Sequence, residues 1–344
     1  MTASNNYSLP TIGSGLTLYS FTNEWLSGQF DLEQILREVA ARGLGPGVEV
    51  VGYQSLRSFP DIDDATTDKW HGLIDELGLV PTCLSSNVDI ALRSDRFLNA
   101  DEMTELLERQ LRTANKLGFN IVRIQIGASA EVIQRVTPLA EDLGLRMGME
   151  LHAPEGPRTE SIMRVRDLYA ELDSPALGFI PDFSATMRDI PLTEQHQWVE
   201  AGLPQDLVDI FVENWRTAPG TIKDRFQAFR RLALARGASE EAIAPTVGAL
   251  TMHGTEPMES WYDIADQIIH VHGKCYEFDA VGDEPSIDYD AVARLLVDIN
   301  YKGYISTEWE GHYFASSNVS AFDQVQAHQR LLGRSLEKAA GTRI

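Results

Sequence analysis

The stretch Arg146–His152 (RMGMELH) is a short apolar run that ends in a carboxylate and an imidazole, Glu150 and His152. Three later stretches share that design. Leu177–Ser184 (LGFIPDFS) ends at Asp182, Gln267–Lys274 (QIIHVHGK) at His270 and His272, and Tyr304–Gly311 (YISTEWEG) at Glu308. Successive strands that each deliver a carboxylate or imidazole at the same end predict one shared metal site. Glu150, Asp182, His272 and Glu308 would form an oxygen-rich set with one nitrogen. Such a set suits a divalent ion of the Mn, Mg, Co or Zn type, with positions left open for substrate oxygens. Mn2+ fits first, because the set holds a single imidazole and no thiolate. Alone, any of these residues would read as a solvated or salt-bridged loop residue; their recurrence at four strand ends favours the metal. Alternation puts Glu150 with His152, and His270 with His272, on one side of their strands. One member of each pair is expected on the metal and the other on substrate, and the spacing leaves open which histidine of HVHGK is the ligand.

The elements that must position these groups alternate regularly. Strand signals lie at Leu16–Thr22, Val48–Gly52, Leu79–Asn87 and Asn120–Gly127, followed by the four stretches above. Between them run helical periods such as Asp31–Arg42, Asp64–Leu77, Ala100–Leu117, Ala130–Leu143, Thr159–Leu172 and Asp288–Ile299, with a last helix at Ala321–Ala339. Eight βα units imply a parallel sheet closed into an α/β fold of the (β/α)8 TIM barrel type, a single domain over residues 1–344. A doubly wound open sheet is the competing arrangement, but YSFTNEW after the first strand is not a glycine-rich phosphate turn. One interval is too long. Asp182 and His272 stand 90 positions apart, where a βαβ unit needs about 30. The excess, residues 187–260, has helical periodicity at Gln205–Arg216 and Ile222–Arg236 and reads as a helical insertion, a lid over the C-terminal face.

Composition narrows the partners. A formal net charge of −22 excludes a phosphate-binding face for nucleic acid and disfavours anionic membrane surfaces. No apolar run approaches the roughly 20 residues that span a bilayer. The opening MTASNNYSLPTIGSG lacks the basic and apolar segments of a secretory signal, and the two cysteines, Cys83 and Cys275, make no disulfide framework. A cytoplasmic protein is expected.

The order of strand-Glu, strand-Asp, HVHGK and strand-Glu on eight βα units resembles the xylose-isomerase-like superfamily, over nearly the whole chain from Leu16 to about Ala339. That group includes ketose 3-epimerases, inosose dehydratases and endonuclease IV barrels. The resemblance implies Glu150, Asp182, His272 and Glu308 as the metal ligands. Two departures narrow the branch. Epimerases have a short segment between the Asp and HxH, and an arginine six residues after the ligand histidine, where Phe278 stands here. The His152 after the fifth strand and the long insertion look more like the large (alpha) subunit of bacterial C-glycoside deglycosidases. Those enzymes pair with a small β-rich subunit and cleave the carbon–carbon bond between a 3-oxo-sugar and an aromatic aglycone, which implies a hetero-oligomer here. A metal-dependent sugar isomerase or epimerase is the alternative. A nuclease would need more histidines and a basic face; a non-catalytic sugar-binding barrel would not need an intact ligand set.

Both enzyme readings need a base for the proton next to a sugar carbonyl. His152 is the first candidate, because imidazole titrates near neutral pH. The alternatives are a His152 that only orients Glu150, and Glu150 or Glu308 acting as base, as the epimerase resemblance implies. His270, Lys274, Gln125 and Asn87 are expected on substrate: Lys274 to stabilise an enolate oxygen or to pair with a carboxylate, the others to meet hydroxyls. Glu49 shares that expectation. Tyr19, Phe21 and Trp309 could form an aromatic wall or pack the core, and His312 and Tyr313 follow the last strand.

Overall fold

A computed structural model describes residues 12–88, 92–125, 127–314 and 319–341. Eight parallel strands form the sheet: β1 Ile12–Thr17, β2 Gly47–Val51, β3 Val80–Ser85, β4 Ile121–Ile124, β5 Arg146–Leu151, β6 Leu177–Pro181, β7 Val271–Cys275 and β8 Gly303–Trp309. Their order is β6-β5-β4-β3-β2-β1-β8-β7. Among the described residues, the seam between β6 and β7 is closed by isolated bridges alone, Phe179 with Ile268 and Asp182 with His272. The expected (β/α)8 barrel is therefore present, with one weakly laddered junction.

The helices form where the sequence supplies both an apolar stripe and an end signal. Helix Leu32–Ala41 starts in a capping box of Asp31 with Gln34 and buries Ile35, Leu36 and Val39. Helix Ala100–Lys116 starts in a second box, Asn99 with Glu102, and buries Met103, Leu106, Leu107 and Leu111. Gly78 ends helix Asp64–Leu77 in the left-handed region at φ 62°, which glycine adopts without strain. These faces pack on the outer side of the sheet and form the main core.

The barrel interior is different. Its floor holds a small apolar cluster of Cys83, Ile180 and Ile269, and the Tyr304 ring fills the space left by glycines. A Cβ at Gly13 or Gly47 would stand 2.6 Å from that ring, so the phenol can enter the barrel only because both positions lack one. Both cysteines are buried free thiols.

Two boundaries differ from expectation. β1 ends at Thr17, and Leu18–Phe21 form a 3-10 turn in place of the predicted strand to Thr22. The Thr17 hydroxyl accepts the Tyr19 N–H at 3.3 Å and so caps the turn. β7 starts at Val271, inside HVHGK and not in the apolar run before it, where Met258–Gln267 is already 3-10 helical. Between β6 and β7 lie the helices Leu192–Glu200, Gln205–Thr217, Ile222–Ala235, Glu240–Ile243 and Thr246–Met252. Trp198, Phe211, Trp215 and Phe229 pack them together. Among the described residues, no helix is long and apolar enough to cross a membrane.

Candidate active site

Glu150 at the end of β5, Asp182 after β6, His272 in β7 and Glu308 in β8 converge. One ligand atom from each lies within 4.8 Å of the other three. His272 Nδ1 is 2.9 Å from Glu150 Oε1 and 3.2 Å from Glu308 Oε2. Lys274 Nζ is 3.0 Å from Asp182 Oδ2, 3.3 Å from Glu308 Oε2 and 3.0 Å from Glu310 Oε2. Arg123 Nε approaches Glu150 Oε2 at 3.6 Å. All of these side chains are buried.

This density of charge shifts His272, Lys274, Glu150 and Glu308. Burial opposes the charged forms of His272 and Lys274, but the surrounding carboxylates outweigh it and hold both well above their usual range. For Glu150 burial is outweighed by Arg123 and His272, and its carboxyl stays low. For Glu308 burial prevails over Lys274 and His272, and its carboxyl is raised. Asp182 Oδ1 accepts the Ser184 N–H at 2.8 Å, while Asp182 Oδ2 and Glu308 Oε2 are buried with ion-pair contacts to Lys274 and, for Glu308, His272, but without a well-aligned hydrogen bond. Buried carboxylate oxygens without an aligned donor are costly. With the Nδ1 of His272 between Glu150 and Glu308, they make a donor set that fits a divalent cation.

The cluster opens into a cavity of about 780 Å3 lined by Tyr19, Tyr53, Asn87, Arg123, Gln125, Glu150, His152, Lys274, Glu308 and Glu310, among others. His152 Nδ1 lies 2.8 Å from the Ala153 carbonyl oxygen. A carbonyl only accepts, so Nδ1 carries the proton and the neutral ring presents a free Nε2, 4.0 Å from Asp182 Oδ2. Burial lowers the basicity of this imidazole, but Asp182, Glu310 and Glu150 together raise it above its ordinary value.

Several expected contacts fall elsewhere. His270 is away from the cavity: it is 1% exposed, and its Nε2 meets Glu49 Oε2 at 3.1 Å and Ser306 Oγ at 2.9 Å. It precedes His272 by one step of the pleat, which sets it deeper in the barrel. Glu49 is likewise fully buried and touches imidazoles in place of sugar hydroxyls. Phe21 and Trp309 pack in the core, while Tyr19 lines the cavity and donates to Glu310 Oε1 at 3.1 Å. His312 is buried, its ring edge-on to Tyr19, and the exposed Tyr313 places its hydroxyl 3.0 Å from that of Tyr19. Asn87 and Gln125 do line the cavity. Sequence reasoning missed Arg123 and Glu310. Each stands two positions from a residue it had placed, Gln125 and Glu308, so the period-2 rule applied once more would have found both.

Residues 36–333 match the family described as "Xylose isomerase-like TIM barrel". The chain is 40% identical over 327 residues to the C-glycoside deglycosidase alpha subunit of Arthrobacter globiformis, covering 94% of this chain and 92% of that one. It is 36% identical over 340 residues to the 3'-dehydrocarminate deglycosidase alpha subunit of a Microbacterium species, covering 96% and 97%. Among solved structures, a sugar phosphate isomerase/epimerase from Parabacteroides distasonis superposes with a TM-score of 0.55 at 14% identity, over 95% of this chain and 94% of that one. The barrel, its strand-end carboxylates and the family match over most of the sequence agree: the chain belongs to the xylose isomerase-like TIM barrel family.

Proposed function

We propose that this protein is the alpha subunit of a C-glycoside deglycosidase, a metal-dependent carbon–carbon lyase acting on 3-oxo-C-glycosides. The observation that carries the reading is the set of four ligand atoms within 4.8 Å of one another beside a cavity of about 780 Å3. The relatives named as deglycosidase alpha subunits, at 36–40% identity, support the choice of substrate.

Glu150, Asp182, His272 and Glu308 would hold the cation, with Mn2+ first and Mg2+, Co2+ or Zn2+ as alternatives. A bound divalent ion would act as Lewis acid on the sugar carbonyl and orient the neighbouring hydroxyl. His152 Nε2 takes the C2 proton, since the Ala153 carbonyl keeps the ring proton on Nδ1. The C2–H electrons form the C1=C2 bond as the C1–aryl bond breaks. The aryl carbon takes up the proton that His152 Nε2 removed, so free aglycone and an unsaturated 3-oxo-sugar result, His152 returns to its neutral form and atoms balance. Arg123 and Lys274 steady the negative charge that gathers near Glu150 and Glu308. Tyr19, Asn87 and Gln125 line the space for sugar and aglycone.

The word "subunit" in the relatives' names supports a partner for this chain, and a small β-rich subunit of about 130–150 residues is the proposed one. The helices between β6 and β7 are proposed as a lid, within one domain. The test is product analysis: the protein with Mn2+, with and without that partner, is offered a 3-oxo-C-glucoside. Metal-dependent release of aglycone, lost in Glu150→Gln, supports the lyase. An epimerised sugar with no aglycone would replace it with an isomerase.

A further inference from the structure

Glu49 lies outside the proposed ligand set and outside the cavity wall, yet its carboxylate engages three side chains, Ser85, His270 and His272. It sits on β2, 0% exposed. Its Oε1 is 3.0 Å from His272 Nε2, and its Oε2 is 3.1 Å from His270 Nε2. The Ser85 hydroxyl of β3 also donates to Oε1, and Ser306 Oγ of β8 stands 2.9 Å from His270 Nε2. One carboxylate thus contacts β3 and the β7 stretch directly and reaches β8 through His270.

The consequence concerns His272. Its two ring nitrogens meet different carboxylates: Nε2 faces Glu49, and Nδ1 faces Glu150 and Glu308. A cation-binding nitrogen must offer a lone pair, so the ring proton must sit on the other nitrogen. A carboxylate can only accept while ionised. Glu49 therefore requires Nε2–H, so that when a cation displaces the proton that Glu150 and Glu308 hold on Nδ1, the lone pair it meets is that of Nδ1. His270 and Ser85 hold the carboxylate in place, which fixes the plane of the His272 ring as well as its tautomer.

We infer that Glu49 is a positioning residue for the metal centre: through His270 and Ser85 it locks the tautomer and ring plane of His272 without touching substrate. The inference rests on the metal reading above and adds a requirement to it. Partners of this kind typically contribute about 10- to 100-fold in metal affinity.

The test uses the full chain stripped of metal. Mn2+ affinity is measured by competition with a chelating dye for wild type, Glu49→Gln and Glu194→Gln. The last is a control for general disruption of a buried carboxylate–imidazole pair, because Glu194 Oε2 lies 2.6 Å from His253 Nε2 and shares no residue with the cluster. Glu49→Gln is expected to weaken Mn2+ about 10- to 100-fold, and Glu194→Gln to leave it unchanged. An unchanged affinity in folded Glu49→Gln overturns the inference while the metal reading stands. A wild type that binds no Mn2+ overturns both. A second readout needs no variant. In [15N]histidine-labelled wild type loaded with Zn2+, the His272 resonance is expected to show a protonated Nε2 and a metal-bound Nδ1. The reverse assignment overturns the inference, even should Glu49→Gln fail to fold.

Discussion

Asp182 and His272 face each other as an isolated parallel bridge across the seam between β6 and β7. The neighbouring strands are joined by continuous ladders, and β5 with β6 share five register pairs. Two proposed ligands therefore stand on either side of the weakest junction of the barrel, where the chain departs for the helices between Leu192 and Met252. A cation held by both would brace that seam.

That relationship predicts a thermal effect. Anything that binds the folded state alone adds RT ln(1 + [L]/Kd), about 2.7 kcal/mol at a hundred times Kd. For a chain of this size, Mn2+ at that level should raise Tm by several degrees, and EDTA should reverse it. Differential scanning calorimetry of wild type and Asp182→Asn provides the check. The variant is expected to lose most of the shift, and an equal shift in both would place the ion elsewhere.

Lys274 should be a stability residue before it is anything else. It is fully buried, and its ammonium lies within 3.3 Å of Asp182, Glu308 and Glu310. Removing one partner of a buried pair costs about 3–5 kcal/mol. Lys274→Met, measured by urea unfolding in EDTA, should fall in that range. Added Mn2+ should recover part of the loss, because it neutralises the same carboxylates. A loss that is unaffected by Mn2+ would count against a shared site.

His152 should separate chemistry from metal binding. Its Nε2 lines the cavity side of Asp182 without belonging to the tetrad. His152→Gln is expected to lower kcat by about 10²- to 10⁴-fold with Mn2+ affinity retained. The proposed base works only when neutral, so wild-type activity should rise with pH through the imidazole pKa, which Asp182 and its neighbours raise against burial. The residual activity of the variant should lack that acid limb. Persistence of the limb in His152→Gln would assign the base to another group.

Glu284 gives a stability–pH prediction away from the site. Burial raises its carboxyl to about 8, well above the usual carboxylate value near 4.3. The folded state then keeps a proton that the unfolded chain releases. Its contribution is present below about pH 4 and is lost as pH rises toward 8, at roughly 1.4 kcal/mol per pH unit. Glu284→Gln should flatten the decline of Tm between pH 5 and 8 relative to wild type. Parallel Tm profiles would show that Glu284 titrates normally.

Much of this arrangement was readable before any coordinates. The eight βα units, the helical stretch between Asp182 and His272, and the convergence of Glu150, Asp182, His272 and Glu308 all follow from strands that end in chemistry. What resisted was depth. Period-2 alternation says that His270, His272 and Lys274 share a face, but not that His270 lies under the site and Lys274 beside it. Glu49 looked like a sugar contact for the same reason; its partners come from β3 and β7, far away in sequence. Tyr19 was visible as an aromatic, but its aim into the cavity depends on the Thr17 cap that ends β1 early.

The most direct test of the proposed chemistry follows a label at the scissile position. A 3-oxo-C-glucoside deuterated at C2 is incubated with the protein, its partner and Mn2+ in ordinary water, and products are weighed by mass spectrometry. Elimination predicts free aglycone in equal amount to an unsaturated sugar that has lost its deuterium, with a primary isotope effect and no reaction in EDTA or in Glu150→Gln. Deuterium washed out of a substrate that keeps its aglycone would contradict the lyase and leave a sugar isomerase in its place.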